Sequence, residues 1–358
     1  MSFQLGRLPV GDGSPCLLVA ELSGNHNGDL GRAIATVEAA KEAGAHAIKL
    51  QTYTADTLTI RSDRRDFVVP GDGPWSGRTL YDLYQEAHTP WDWHPRLFET
   101  ARRIGLEIFS TPFDRTAVDL LEDLGAPAHK VASFELVDDD LLRAVAATGK
   151  PIVISTGMAS LEEIAHALTV LRGGGAADLV VLKCTSSYPA PDAAMDLAAI
   201  PLLARVTGCP AGLSDHSRGI VAPVVAATLG AVLIEKHFTL DRAAGGVDSH
   251  FSLEPAEFRE LATAVARAQA MIGRPRLGPG TAEEGSVTFR RSLYVVADVA
   301  AGEPLTRANV RSIRPGFGLA PRFADQVWGR RASRAVERGT PVSWDLVGPA
   351  GDVAEVPA

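Results

Sequence analysis

Between residues 17 and 272, short runs of β-branched and other apolar residues alternate with stretches whose apolar positions recur every three to four residues. The runs fall at 17–22, 47–52, 107–111, 129–132, 152–156, 180–185, 212–216 and 232–238. Each has strand length, and a helical pattern separates it from the next, which is what a parallel sheet with crossover helices requires. Leu30, Ile34 and Val37 sit at i, i+4 and i+7 before Gly44, and Ile164, Leu168 and Leu171 follow Ser160 and Glu163 in capping-box spacing. Eight such units in about 250 residues predict an α/β fold, a (β/α)8 TIM barrel. The stretch 56–90 is longer than a barrel loop needs and is expected to act as a substrate lid.

Beyond residue 272 the pattern changes. Residues 273–289 are rich in Gly, Pro, Glu and Ser and read as a linker. Residues 290–350 predict a small β-rich module, with a strand at 292–297, a turn at 301–304 and a short helix capped by Thr306. The expected organisation is a barrel over 1–272, a linker over 273–289 and the module over 290–350. About 60 residues is near the lower limit for an independent core, so the module is expected to lean on a neighbour.

Composition narrows the function classes. The 358 residues are 46% hydrophobic, 22% charged and 6% aromatic, as in an ordinary α/β protein. With 35 basic and 43 acidic side chains the net charge of -8 disfavours nucleic acid and anionic membrane surfaces as partners. An anionic ligand must then be held by a local basic cluster. Cys16, Cys184 and Cys209 are too few and too widely spaced for a disulfide framework or a zinc motif. Together with the lack of a signal-peptide pattern over 1–15, this predicts a cytoplasmic protein. The apolar stretch 220–234 is broken by Pro223, Thr228 and Gly230 and is shorter than the ~20 residues of a membrane span.

A (β/α)8 enzyme builds its site at the C-terminal ends of the strands, so polar residues there carry the information. They are Glu21 on the first run, Lys49 and Gln51 on the second, Thr111 on the third, Lys130 and Ser133 on and after the fourth, and Ser155 on the fifth. The sixth leads to Tyr188, the seventh holds Ser214 and His216, and the eighth holds Glu235 and His237. Period-two alternation puts Lys49 with Gln51, and Ser214 with His216, on one face. A Ser or Thr at a strand end is more often a helix cap than a ligand. A buried lysine differs, because an unpaired ammonium is costly: Lys49 and Lys130 must face a carboxylate or a bound anion, and the nearby hydroxyls favour the anion. His216 and His237 can point at one metal, or each can be a structural histidine; spacing alone leaves both open.

The segments AELSGNHNGDL, AIKLQTYTADTLT, RTLYDLYQEAHTPWDWH, HKVASFELVDDDLL, ISTGMAS, LKCTSSYPAP, GLSDHSRGI and IEKHFTLDRAAGGVDSHFSLEP resemble the successive barrel motifs of the sialic acid synthase family. FRRSLYVVADVAAGE, RSIRPGFGLAP and RGTPVSWDL resemble its C-terminal antifreeze-like (SAF) domain. The wording is closer to the pseudaminic acid branch than to the N-acetylneuraminate branch. The resemblance implies a metal-dependent condensation of phosphoenolpyruvate with an amino-sugar aldehyde. It implies that His216 and His237 bind a divalent metal, Mn²⁺ first, with Mg²⁺ or Co²⁺ possible. It further implies that Lys49, Thr111, Lys130, Ser133, Ser155 and Ser214 hold phosphoenolpyruvate, that Gln51 and Tyr188 hold the sugar, and that Glu21 and Asp248 act at the reacting centre. Arg314 matches an arginine that reaches the partner's site, which implies a domain-swapped homodimer.

Two features leave alternatives open. Lys183 stands where some relatives carry His, and a lysine on the sixth barrel strand is also where Schiff-base aldolases place theirs. The sugar is equally open: 2,4-diacetamido-2,4,6-trideoxy-L-altrose, N-acetylmannosamine and the legionaminic precursor would undergo the same chemistry. A non-catalytic sugar- or ice-binding role, suggested by the SAF-like tail, does not account for so many polar strand ends.

Overall fold

The computed structural model describes residues 2–350 except 12, 72 and 74, so parts of the N-terminal stretch and of 56–90 lie outside the described residues. The chain divides into two compact units, one ending at Gly273 and one beginning at Arg274.

The first unit opens with a hairpin, β1 (Ser2–Leu5) and β2 (Leu8–Gly11), paired antiparallel. Eight parallel strands follow: β3 (Leu17–Glu21), β4 (Ala47–Thr52), β5 (Glu107–Pro112), β6 (His129–Val131), β7 (Ile152–Ser155), β8 (Leu179–Cys184), β9 (Ala211–Asp215) and β10 (Leu233–His237). They close in chain order, with β10 returning to pair with β3. The expected barrel is therefore present, with strand bounds moved by a residue or two. The helix Leu30–Glu42 is capped by Asp29, and Leu161–Gly173 begins with the expected Ser160 and Glu163 capping box.

Alternation sorts each strand's side chains onto two faces. Outward residues such as Leu18, Ala20, Ile48, Leu50, Ile108, Val131, Ile154, Val181 and Leu213 join the helices in the large core. Inward residues Leu17, Val19, Ala47, Phe109, Ala128, Val153, Val180, Leu182 and Leu233 fill the lower barrel together with Leu5 and Val10 of the hairpin. The hairpin thus plugs the N-terminal end of the barrel with apolar side chains. The next inward positions toward the C-terminal ends are polar, and they form the site described below.

The second unit begins with a 3₁₀ run, Thr281–Phe289, inside the stretch expected to be linker. Its strands β11 (Ser292–Val295) and β12 (Val310–Ile313) pair antiparallel, as do β13 (Arg330–Ala332) and β14 (Val347–Ala350). Leu293, Val295, Val299, Leu305, Val310, Val327, Val342 and Leu346 form a core of its own. The expected helix after Thr306 is instead a turn. The Asn309 side chain accepts from the Thr306 amide and donates to the Pro304 carbonyl, which satisfies these groups without a helical turn.

Candidate active site

Glu21, Lys49, Thr111, Lys130, Ser155, Ser214, Glu235 and His237 occupy inward positions at the C-terminal halves of their strands, and all are buried. The Lys49 ammonium lies 2.5 Å from Glu21 Oε2 and donates to Thr111 Oγ1 at 2.8 Å. Lys130 donates to Ser155 Oγ at 2.7 Å and to its neighbour's carbonyl, Val131 O, at 3.2 Å. Gln51 donates to Glu21 Oε1 at 3.1 Å and to Ser23 Oγ at 3.1 Å. Ser133, in the loop after β6, accepts the Gly157 amide at 3.0 Å. A Cβ at Gly157 would collide with the Ser186 and Ser133 hydroxyls, so only glycine lets these loops meet.

Burial sets the protonation of this cluster. It pushes Glu21 up to about 7 although Lys49 pulls the other way. It lowers Lys130 despite the neighbouring Glu235. Lys49 also suffers burial, but the Glu21 and Glu235 carboxylates hold it above its ordinary value. Asp248 is raised by burial, although it accepts from Ser23 Oγ.

The two histidines come together as their strand ends allow. Their ring centroids are 5.3 Å apart, with Tyr188 4.4 Å from His216 and Phe251 4.7 Å from His237. His237 is held well below its ordinary value by burial and by His216, so its imidazole is neutral. Its Nδ1 is buried without a hydrogen-bond partner among the described residues, 3.8 Å from Asp248 Oδ2. His216 Nδ1 faces Thr185 O at 3.2 Å, which leaves Nε2 as its remaining ligand atom. An unpartnered buried imidazole nitrogen beside a second imidazole fits a divalent metal held by two protein ligands, with substrate or water completing the shell. Among the described residues no group of three or more His, Cys, Asp or Glu is placed to hold a metal by itself.

The long insertion contributes Trp75, which donates to Val247 O at 3.0 Å and lies 5.5 Å from Tyr188. A cleft of about 310 Å³ beside the site is lined by Arg218, Arg242 and Glu257 together with His250 and Phe251.

Sequence reasoning gave no role to Glu235, which lies between the two lysines. The alternation that selects His237 also selects Glu235, so the signal was present. Glu135, whose carboxyl burial raises to about 7, opens a one-turn 3₁₀ helix, Glu135–Val137, too short for any periodicity to select it. Lys183 has the opposite outcome. On β8 the inward positions are Val180, Leu182 and Cys184, so Lys183 faces outward, and its ammonium binds Cys184 O and Thr185 Oγ1. This placement removes it from the interior a Schiff-base lysine would need. Arg314 is exposed on the second unit, just after β12.

Residues 36–276 match the NeuB family and residues 290–348 match the SAF domain. The pseudaminic acid synthase of Campylobacter jejuni is 43% identical over 90% of this chain and 94% of its own length. That of Helicobacter pylori is 42% identical over 92% and 97%. Among solved structures, the N-acetylneuraminic acid (sialic acid) synthetase of Leptospira borgpetersenii, in complex with citrate, superposes with a TM-score of 0.72 at 31% identity, covering 80% of this chain and 95% of that one. An eight-stranded barrel with two buried lysines and paired histidines at its C-terminal end, matched along nearly its whole length, belongs to the NeuB family and carries a C-terminal SAF domain.

Proposed function

We propose that this phosphoenolpyruvate-condensing enzyme of the NeuB family is a pseudaminic acid synthase, a transferase that forms a C–C bond between phosphoenolpyruvate and 2,4-diacetamido-2,4,6-trideoxy-L-altrose and releases phosphate. The observation that carries the choice of sugar is the 43% identity to a pseudaminic acid synthase over 90% of the chain. Carbon 3 of phosphoenolpyruvate attacks the aldehyde carbon, a water adds at carbon 2, and phosphate leaves by C–O cleavage. A divalent metal held by His216 and His237, Mn²⁺ by preference, would supply Lewis-acid polarisation of the aldehyde oxygen.

The chain's own groups supply the rest. Lys49 and Lys130, with Thr111, Ser133, Ser155 and Ser214, hold the phosphate and carboxylate by charge-assisted hydrogen bonds. Glu21 accepts the proton of the attacking water and faces the positive charge that develops at carbon 2. A carboxyl pushed up to about 7 is matched to that task near neutral pH. Gln51 and Tyr188 orient the sugar, and Asp248 acts with Glu21 at the reacting centre. Arg314 serves the site of a second copy in a domain-swapped homodimer, where its guanidinium hydrogen-bonds an acyl oxygen of the sugar.

The deciding experiment incubates the purified enzyme with phosphoenolpyruvate, Mn²⁺ and each of the three candidate sugars, and identifies products by mass spectrometry. The expected result is a nine-carbon acid from the altrose derivative with kcat/KM at least about tenfold above the others, the scale one or two pocket contacts provide. Preference for N-acetylmannosamine or for the legionaminic precursor would reassign the substrate and leave the chemistry standing.

A further inference from the structure

Glu235 is a buried carboxylate whose placement no hydrogen bond explains. It lies on the inward face of β10, 5% exposed, with Oε1 3.7 Å from the Lys49 ammonium and Oε2 4.0 Å from the Lys130 ammonium. Both distances are within ion-pair range but too long for hydrogen bonds. Among the described residues Oε2 has no hydrogen-bond partner. Each lysine already has closer partners: Glu21 and Thr111 for Lys49, and Ser155 for Lys130. A carboxylate kept only to stabilise the barrel would gain most by closing onto one lysine, because a buried charge with an unsatisfied oxygen is costly.

Its position between the ammonium groups has a consequence for anions. Two buried lysines some ångströms apart repel each other and would hold a multiply charged anion very tightly, because Coulomb interactions are strong where water is excluded. A negative charge between them offsets the repulsion and weakens the hold on any anion that binds both. An enzyme that must release inorganic phosphate at each turnover benefits from that weakening, since binding substrate and product uniformly tightly does not raise kcat.

We propose that Glu235 is a positioning residue that balances Lys49 and Lys130 and sets how loosely they hold the substrate's anion, so that phosphate can leave. The inference rests on the reading that these two lysines form the anion pocket. Glu235 touches the lysines and acts through them; it makes no bond to a reacting atom.

The probe is inorganic phosphate, measured as a competitive inhibitor against phosphoenolpyruvate with the full-length, metal-loaded enzyme. In Glu235→Gln, which keeps the shape and removes the charge, the inhibition constant for phosphate should fall about fivefold or more, kcat should fall with it, and the KM for the sugar should stay within about twofold. Glu235→Asp, which keeps the charge, should restore kcat and the phosphate constant toward wild type. Loss of a purely structural group would weaken phosphate binding, so an unchanged or raised inhibition constant in folded Glu235→Gln overturns the proposal. Should that variant fail to fold, the charge-balanced double variant Lys130→Met/Glu235→Gln carries the test. It should bind phosphate severalfold more tightly than Lys130→Met alone, because an anion near Lys49 no longer meets an opposing carboxylate. A double variant no better than Lys130→Met overturns the proposal by itself. If Lys130→Met leaves phosphate and phosphoenolpyruvate binding unchanged, the anion-pocket reading fails instead.

Discussion

At the scale of single residues, Glu21 and Lys130 make the sharpest predictions. Burial raises the Glu21 carboxyl from its ordinary 4.5 to about 7, against the pull of Lys49. Between those values the folded chain holds a proton that the unfolded chain releases, so stability falls as pH rises through the window. Over the same window the carboxyl proposed as the base becomes ionised. kcat/KM should therefore climb with pH to a plateau above about 7, while the urea midpoint drifts downward between pH 5 and 7. Glu21→Gln should reduce the downward drift, leaving the part that Glu135, raised by burial to the same value, contributes, and lower kcat by roughly 10²- to 10⁴-fold, the usual contribution of a general base. Lys130→Met should raise the KM for phosphoenolpyruvate about ten- to a hundredfold, as loss of a charged hydrogen bond worth about 1.5–3 kcal/mol implies, with little change for the sugar. These residues were legible because charged side chains in apolar strands are conspicuous. The balance among them was not, because the spacing of Glu235 from Lys49 and Lys130 depends on how β4, β6 and β10 face one another across a closed barrel.

At the scale of elements, the ends of β9 and β10 are pinned by a second ion pair on the outer face. Lys236 Nζ lies 2.6 Å from Asp215 Oδ2 and also donates to Ser217 O, while Asp215 Oδ1 accepts the Ser217 amide at 2.9 Å. His216 and His237 are the chain neighbours of this pair, so it fixes the backbone from which both imidazoles project. Lys236→Met would leave Asp215 buried and unpaired, at a cost of about 3–5 kcal/mol in chemical denaturation, and Mn²⁺ affinity measured by calorimetry should fall with it. Asp215→Leu/Lys236→Met should recover most of the stability. The eight barrel strands were legible because parallel strands buried on both faces read as continuous apolar runs. The hairpin at 2–11 was not, because each of its strands is only four residues long and its place is decided by the barrel end that Leu5 and Val10 fill. The turn at Thr306 was misread because a threonine can cap either a helix or a turn, and the Asn309 side chain decides between them.

At the scale of the whole molecule, residues 290–350 carry ten arginines against five acidic residues, whereas the full chain is net negative. The acidic excess therefore lies in the barrel unit. The composite-site reading is tested by complementation. Arg314→Ala and His237→Ala should each be nearly inactive alone, while their re-associated mixture should recover roughly a quarter of wild-type activity, because about half of randomly paired dimers are mixed and each of those has one intact site of two. No recovery despite demonstrated exchange of subunits would mean that Arg314 serves its own barrel or none. Among the described residues no helix is long and apolar enough to cross a membrane. The barrel's lower interior is filled by apolar side chains and the hairpin, and its upper interior by charge and hydroxyls. Inherited variation should therefore reach fitness by two separable routes. Changes among Leu5, Val10, Phe109 and Leu182 should alter how much enzyme a cell accumulates, and changes among Lys49, Lys130 and Glu235 should alter what each molecule does per second. A mutational scan reading abundance and turnover independently should divide partway along every strand, which leaves one end of the barrel free to acquire a new substrate while the other keeps the chain folded.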